Sequence, residues 1–214
     1  MESRELSHII AAILVLTTVT GFAYAVKADW LSLSQAFLFS VIIISVSIAA
    51  KKITAYLLDS DVEHEIWTWS RYGFKPKQHL EKEIPAGVIF PLLFTLLSAG
   101  ALKVMSILTY ETRATQYRAA KRFGFYSYTE MTDWHNALIG AGGIIAMLLV
   151  SLVSYFLPYN LEFLSKIAAY YAFFNMLPIS KLDGTQIFFG SRVLYATLAI
   201  ITAIFAGYFL TILA

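Results

Sequence analysis

The residues best placed to do chemistry lie in the stretch Asn175-Met-Leu-Pro-Ile-Ser-Lys-Leu-Asp183-Gly184, between two strongly apolar runs. A carboxylate at or near membrane depth is costly to bury and by default marks a functional site. Pro178 removes a backbone donor and disfavours helix at Leu177, so the apolar helix over 167–177 should break there. The break frees carbonyls, and Asn175 is placed to satisfy some of them. A solvated Asp-Gly turn at the membrane surface is the plain structural alternative. The chemistry available to Asp183 depends on what faces it.

The pattern N-x-x-P-x-x-x-L-D-G, carried here by Asn175, Pro178, Leu182, Asp183 and Gly184, resembles one of the two signatures of the site-2 protease family. These are intramembrane zinc metalloproteases, and the resemblance implies that Asp183 stands where that family has its third zinc ligand. The family's other two ligands are histidines of an H-E-x-x-H helix, whose glutamate activates the attacking water. The matching segment here is Ser47-Ile48-Ala49-Ala50-Lys51-Lys52-Ile53-Thr54-Ala55. Ser47 and Lys51 thus stand at the histidine positions and Ile48 at that of the glutamate. Positions i and i+4 share a helix face, so the geometry of a site survives while its chemistry does not. Lys51 is a cation where a dication should bind, and Ile48 cannot accept a proton. Without a ligand set there is no Lewis acid and no lowered water pKa.

The resemblance therefore implies a catalytically inactive relative, with no cofactor, that binds or regulates a transmembrane partner. A second reading is a working metalloprotease whose zinc is held by Asp183 with some of His64, His79 and His135. A third is a small transporter or membrane assembly factor that uses Asp183 as a proton or ion site. Two further look-alikes carry less. Arg4-Glu5-Leu6-Ser7-His8 imitates H-E-x-x-H, but a guanidinium has no lone pair to give a metal. His64-Glu65 is followed by Thr68 where a second histidine would be needed.

Of the 214 residues, 58% are hydrophobic and only 14% are charged, and mean hydropathy is +0.67. That composition indicates a polytopic membrane protein, with five or six spans of about 20 residues in one membrane domain over 1–214. There is no cysteine, so disulfides and thiolate metal sites are excluded. The net charge of +2 is too small and too dispersed to imply nucleic acid. The first apolar run lacks a basic leader and a small-residue cleavage site, and reads as a retained helix.

The expected fold is all-α, of site-2 protease type, with spans at about 6–26, 32–56, 84–108, 137–157, 162–177 and 192–213. Within 59–83, Glu63, Glu65, Trp67 and Trp69 alternate with His64, Ile66 and Thr68, which fits a short strand or β-hairpin. In the family such a sheet presents an extended partner by edge-strand addition; a hairpin anchored by tryptophans is the structural alternative. Segment 84–108 holds Pro85, Gly87, Pro91, Gly100 and Lys103, so it is read as re-entrant. Re-entry puts every lysine and arginine except Lys27 and Lys166 on one side, the cytoplasmic one by the positive-inside rule. The polar segment 111–136 is expected to form an interfacial amphipathic helix and a loop. Gly143 stands where the family usually has proline.

The family resemblance is to archaeal-type members, which implies a prokaryotic cell membrane with the degenerate site facing the cytoplasm. It also brings position 51 within reach of Asp183. Lys51 should then supply the countercharge that a metal would have supplied, with Asn175 or Ser47 adding hydrogen bonds. Otherwise its stem would snorkel to the interface.

Overall fold

The computed structural model describes residues 3–71, 79–115, 131–157 and 161–211. The element order is α1 (Ser3–Val26), α2 (Trp30–Leu57), β1 (Ser60–Ile66), β2 (Trp69–Arg71), β3 (His79–Ile84), α3 (Ala86–Leu97), β4 (Leu108–Ala114), α4 (Asp133–Phe156), α5 (Glu162–Asn175), α6 (Asp183–Gly190) and α7 (Arg192–Thr211). Four of these helices, α1, α2, α4 and α7, are long and apolar enough to cross a membrane. The expected spans at 84–108 and 162–177 are instead the 12-residue α3 and the 14-residue α5. At about 1.5 Å per residue neither covers a bilayer's hydrocarbon core alone.

The α1–α2 hairpin turns at Ala28, which takes a left-handed φ of 55°. Asp29 caps α2 by accepting from the Ser32 backbone N–H, the usual way to satisfy a free helix-start donor. The central helix is α4, which is buried over more of its length than the peripheral α7. It is locked to α5 by a reciprocal pair of hydrogen bonds, Ser151 Oγ to the Ser165 carbonyl at 2.9 Å and Ser165 Oγ to the Ser151 carbonyl at 2.6 Å. Small hydroxyl residues let membrane helices approach closely and bond across the seam. Leu14, Val153 and Ile204 are more than half exposed on the outside of the bundle. A bilayer would cover that apolar belt.

The chain is not wholly α. β1 pairs antiparallel with β4, from Ser60 opposite Ala114 to Ile66 opposite Leu108, and β2 pairs with β3. The strand over 60–66 puts Ser60, Val62 and His64 inward with Asp61 and Glu65 outward. The alternation ends there. Trp67 is buried, donates its backbone N–H to the Ile107 carbonyl, and packs its ring 5.6 Å from that of Phe90. It is a core residue, not an interfacial anchor. Residues 108–114, expected in part as interfacial helix, are strand; 116–130 lie outside the described residues.

Because β1 and β4 are neighbours, the segment between them begins and ends at the same end of the bundle. α3 runs down to a turn at Ala99 and Gly100, where Gly100 packs on Phe22, near the far end of α1. Residues 101–107 then return in non-helical form, and backbone of that kind is tolerated at membrane depth only when protein surrounds it. Met105, Ser106 and Ile107 are accordingly buried. The depth of the turn corrects one detail: Lys103 lies at the far end, its Nζ 5.6 Å from the Phe163 ring, which itself packs on Tyr24.

The chain's lack of cysteine makes topology directly measurable. Single cysteines at Asp61 and Arg113, exposed partners in the ribbon, should react with an impermeant maleimide from the same membrane face. Labelling from opposite faces would mean that 84–108 crosses.

Candidate functional site

The site begins where α5 ends. The helix stops at Asn175, and the chain turns through Pro178 and Ser180, which takes a left-handed φ of 54°. Pro178 has no N–H to offer the Phe174 carbonyl, which accepts weakly from the Leu177 N–H at 3.4 Å and more closely from Ser106 Oγ of the returning segment at 2.9 Å. Asn175 bonds carbonyls at the helix end, as expected, and does not take the second expected role beside Asp183. Its Nδ2 donates to the Tyr171 carbonyl at 2.8 Å and, more weakly, to the Met105 carbonyl at 3.5 Å. The asparagine thus ties the helix end to the re-entrant segment and makes no bond to Asp183.

Leu182 is extended and fully buried against Trp67 and Ala86, and α6 starts at Asp183. A carboxylate in the first turn also suits the positive end of the helix dipole. Gly184 is required by contact: a Cβ there would lie 2.0 Å from the Met176 carbonyl oxygen. The leucine, aspartate and glycine therefore have separate jobs, packing on α3, facing α2 and fitting under the end of α5.

Asp183 meets Lys51. The lysine Nζ lies 2.8 Å from Oδ1 and 2.7 Å from Oδ2, and both side chains are 2% exposed. Lys51 reaches inward because α4 has no side chain at Gly143, where a Cβ would stand 2.6 Å from Lys51 Cε. The ammonium also lies 4.7 Å from the centroid of the Tyr110 ring, a cation–π contact in a dry setting. Tyr110 hydrogen-bonds the Asn136 carbonyl at 2.7 Å, and burial, then the charge of Asp183, raises its hydroxyl pKa well above the usual value. Ser47 and Ile48, one turn earlier on α2, are also buried.

The side chains around Asp183 do not fit a zinc ion. An ammonium occupies hydrogen-bonding distance on both carboxylate oxygens, and an ammonium has no lone pair to donate. The histidines lie elsewhere. His135 sits in the first turn of α4, its Nδ1 against the Thr132 hydroxyl. The side chain of His79 lies outside the described residues. Among the described residues, no three His, Asp or Glu side chains are grouped to hold a metal.

His64 belongs to a second buried ionic cluster that sequence reasoning missed. Glu5, only 4% exposed, pairs with Lys52 at 2.8 Å, and His64 Nδ1 lies 3.2 Å from its Oε1. The apparent decoy motif at 4–8 therefore contributes one structural residue, Glu5, joining α1, α2 and β1. The available signals were an acid at the start of a span and the adjacent basic pair Lys51-Lys52. Burial, then the positive charge of Lys51, pushes His64 down to about 3. The imidazole is neutral at pH 7, with Nδ1–H donating to Glu5.

Comparison of the chain with family models, curated proteins and solved structures returned no match.

Two measurements test this site. Lys51→Met and Asp183→Asn should each destabilise the protein by about 3–5 kcal/mol, because each leaves one buried charge unpaired. The double substitution should cost less than their sum in a double-mutant cycle; strict additivity would mean the two groups do not interact. The His64 shift has a definite sign. Its folded pKa is depressed from 6.5 to about 3, so between those values the unfolded chain takes up a proton that the folded chain refuses. Stability should fall as pH drops through that window, by up to about 1.4 kcal/mol per unit. His64→Gln should flatten this part of the pH profile.

Proposed function

We propose that this chain is a catalytically inactive, site-2-protease-like integral membrane protein that binds or regulates a membrane partner. The observation that carries the reading is the Lys51–Asp183 pair. The motif alignment places Lys51 at the second-histidine position and Asp183 at the third-ligand position. These two side chains, 132 residues apart, bond directly to one another. Direct contact between those two positions supports the reading that an ammonium stands in place of the family's dication. Ile48 supplies no base and Ser47 no strong ligand, so neither water activation nor peptide hydrolysis is available there.

What remains is a membrane-embedded scaffold with a short β-ribbon at the site's end of the bundle. A transmembrane protein segment is the partner class that suits it, through an extended portion added to a strand edge. The basic residues Arg4, Lys52, Arg113, Lys181 and Arg192 gather at that end, which favours a cytoplasmic orientation in a prokaryotic cell membrane. The transporter reading draws on the same buried pair, since an intramembrane carboxylate and its partner mark ion and proton paths elsewhere. The tight pairing at 2.7–2.8 Å and the cation–π contact favour a static structural role.

The test is a restoration. The native chain should purify without stoichiometric zinc, whereas the triple change Ser47→His, Ile48→Glu, Lys51→His should acquire about one zinc per chain and lose it on adding Asp183→Asn. Stoichiometric zinc on the native chain, lost with Asp183→Asn alone, would establish the metalloprotease reading instead. Ion flux in liposomes abolished by the same single change would establish the transporter.

A further inference from the structure

A small polar cavity of about 90 Å³ lies beside the first turns of α1, lined by Glu5 and His8 of that helix, by Glu63, His64 and Glu65 of β1, and by Arg113 of β4. Two buried imidazole nitrogens among these side chains, His8 Nδ1 and His64 Nε2, have no hydrogen-bond partner among the described residues. Glu5 brings the two histidines together. His8 follows it by three residues and so shares its face of α1, while Glu5 Oε1 lies 3.2 Å from Nδ1 of His64, a side chain only 1% exposed. That contact decides what Nε2 can do. A carboxylate only accepts, so Nδ1 carries the proton and Nε2 keeps a lone pair. An imidazole held by a carboxylate on its other nitrogen is the usual arrangement of a metal-ligating histidine.

We infer that His8 and His64 form a reversible binding site for a divalent transition-metal ion, with water completing its coordination. Imidazole nitrogens suit copper, zinc and nickel, and the general affinity order puts copper(II) first. The charges around the cavity do not exclude a cation. Lys52 pairs with Glu5 at 2.8 Å and Arg113 with Glu63 at 2.9 Å, leaving Glu65 and Arg4, of opposite sign, at the exposed rim. Among the described residues no third acid or histidine is grouped to complete a closed site. An ion held by two nitrogens therefore exchanges with solvent and is not carried through purification. The site is separate from Asp183, whose oxygens are taken by Lys51.

The test is a copper(II) titration of the full, untagged chain in detergent, read by electron paramagnetic resonance. A His79→Gln/His135→Gln background removes the other imidazoles. It should bind about one copper per chain, with the hyperfine pattern of two imidazole nitrogens. His8→Gln and His64→Gln should each weaken binding by at least about tenfold and leave the pattern of one imidazole. His8 is only partly buried, so its variant keeps the test decisive if the His64 variant fails to fold. Excess magnesium, which prefers oxygen ligands, should not displace the copper. The folded Lys51→Met/Asp183→Asn variant should bind copper unchanged. Absence of a copper–imidazole signal, or a signal untouched by His8→Gln, would overturn the site and leave the cavity to water. Displacement by magnesium, or loss of binding in the folded Lys51→Met/Asp183→Asn variant, would overturn it as well.

Discussion

The structure depends on the neutralisation of one buried carboxylate. Asp183 lies among α2, α4, α5 and α6, where an isolated negative charge would be severely destabilising. A single ammonium meets it, held on both oxygens and backed by the Tyr110 ring. Such a pair gives little net stability, since desolvation of both ions offsets their attraction. Its effect is on arrangement. The lysine must come from the face of α2 turned to Gly143, and the aspartate must start α6 directly beneath the end of α5. Any other docking of these elements strands a charge.

The segment between β3 and β4 makes that arrangement possible. α3 descends, turns at Gly100, and returns as irregular backbone whose polar groups need partners inside the protein. They find them at the broken end of α5, which has the complementary shortage. Ser106 satisfies the Phe174 carbonyl, and Asn175 reaches the Met105 carbonyl. Two interruptions, one at Pro178 and one at the irregular return of 101–107, thus complete each other. The same return brings β4 beside β1, which places Tyr110 over Lys51 and His64 under Glu5 and Lys52. One excursion of the chain therefore builds the walls of both ionic clusters.

The two ends of the bundle differ in kind. The end near Asp183 carries the β-ribbons, the basic residues and buried ion pairs satisfied within the protein. The opposite end carries Lys103 and Lys166 beside an open apolar groove.

Local covalent facts were enough for part of this. Apolar runs longer than about 18 residues announce membrane helices because nothing else satisfies their backbone in lipid; α1, α2, α4 and α7 were legible on that ground. Pro178 marked the helix break because a missing N–H is a property of the residue, and Asp183 stood out because a carboxylate between apolar runs is costly wherever it goes. The period-two pattern over 63–69 read as a strand because side chains alternate across a sheet; β1 takes only its first part, ending at Ile66. Tertiary structure decided everything that depended on which surfaces meet. Asn175 was legible as a capping residue, but its partner at Met105 lies 70 positions away. Glu5 looked like part of a failed metal motif until α1 packed beside Lys52 and His64. Lys103 was assigned to the wrong end because residue counting cannot measure how far along the bundle the turn after α3 reaches. The lengths of α3 and α5 show the same limit: hydrophobicity reports that a segment avoids water, and only packing decides whether lipid or protein surrounds it.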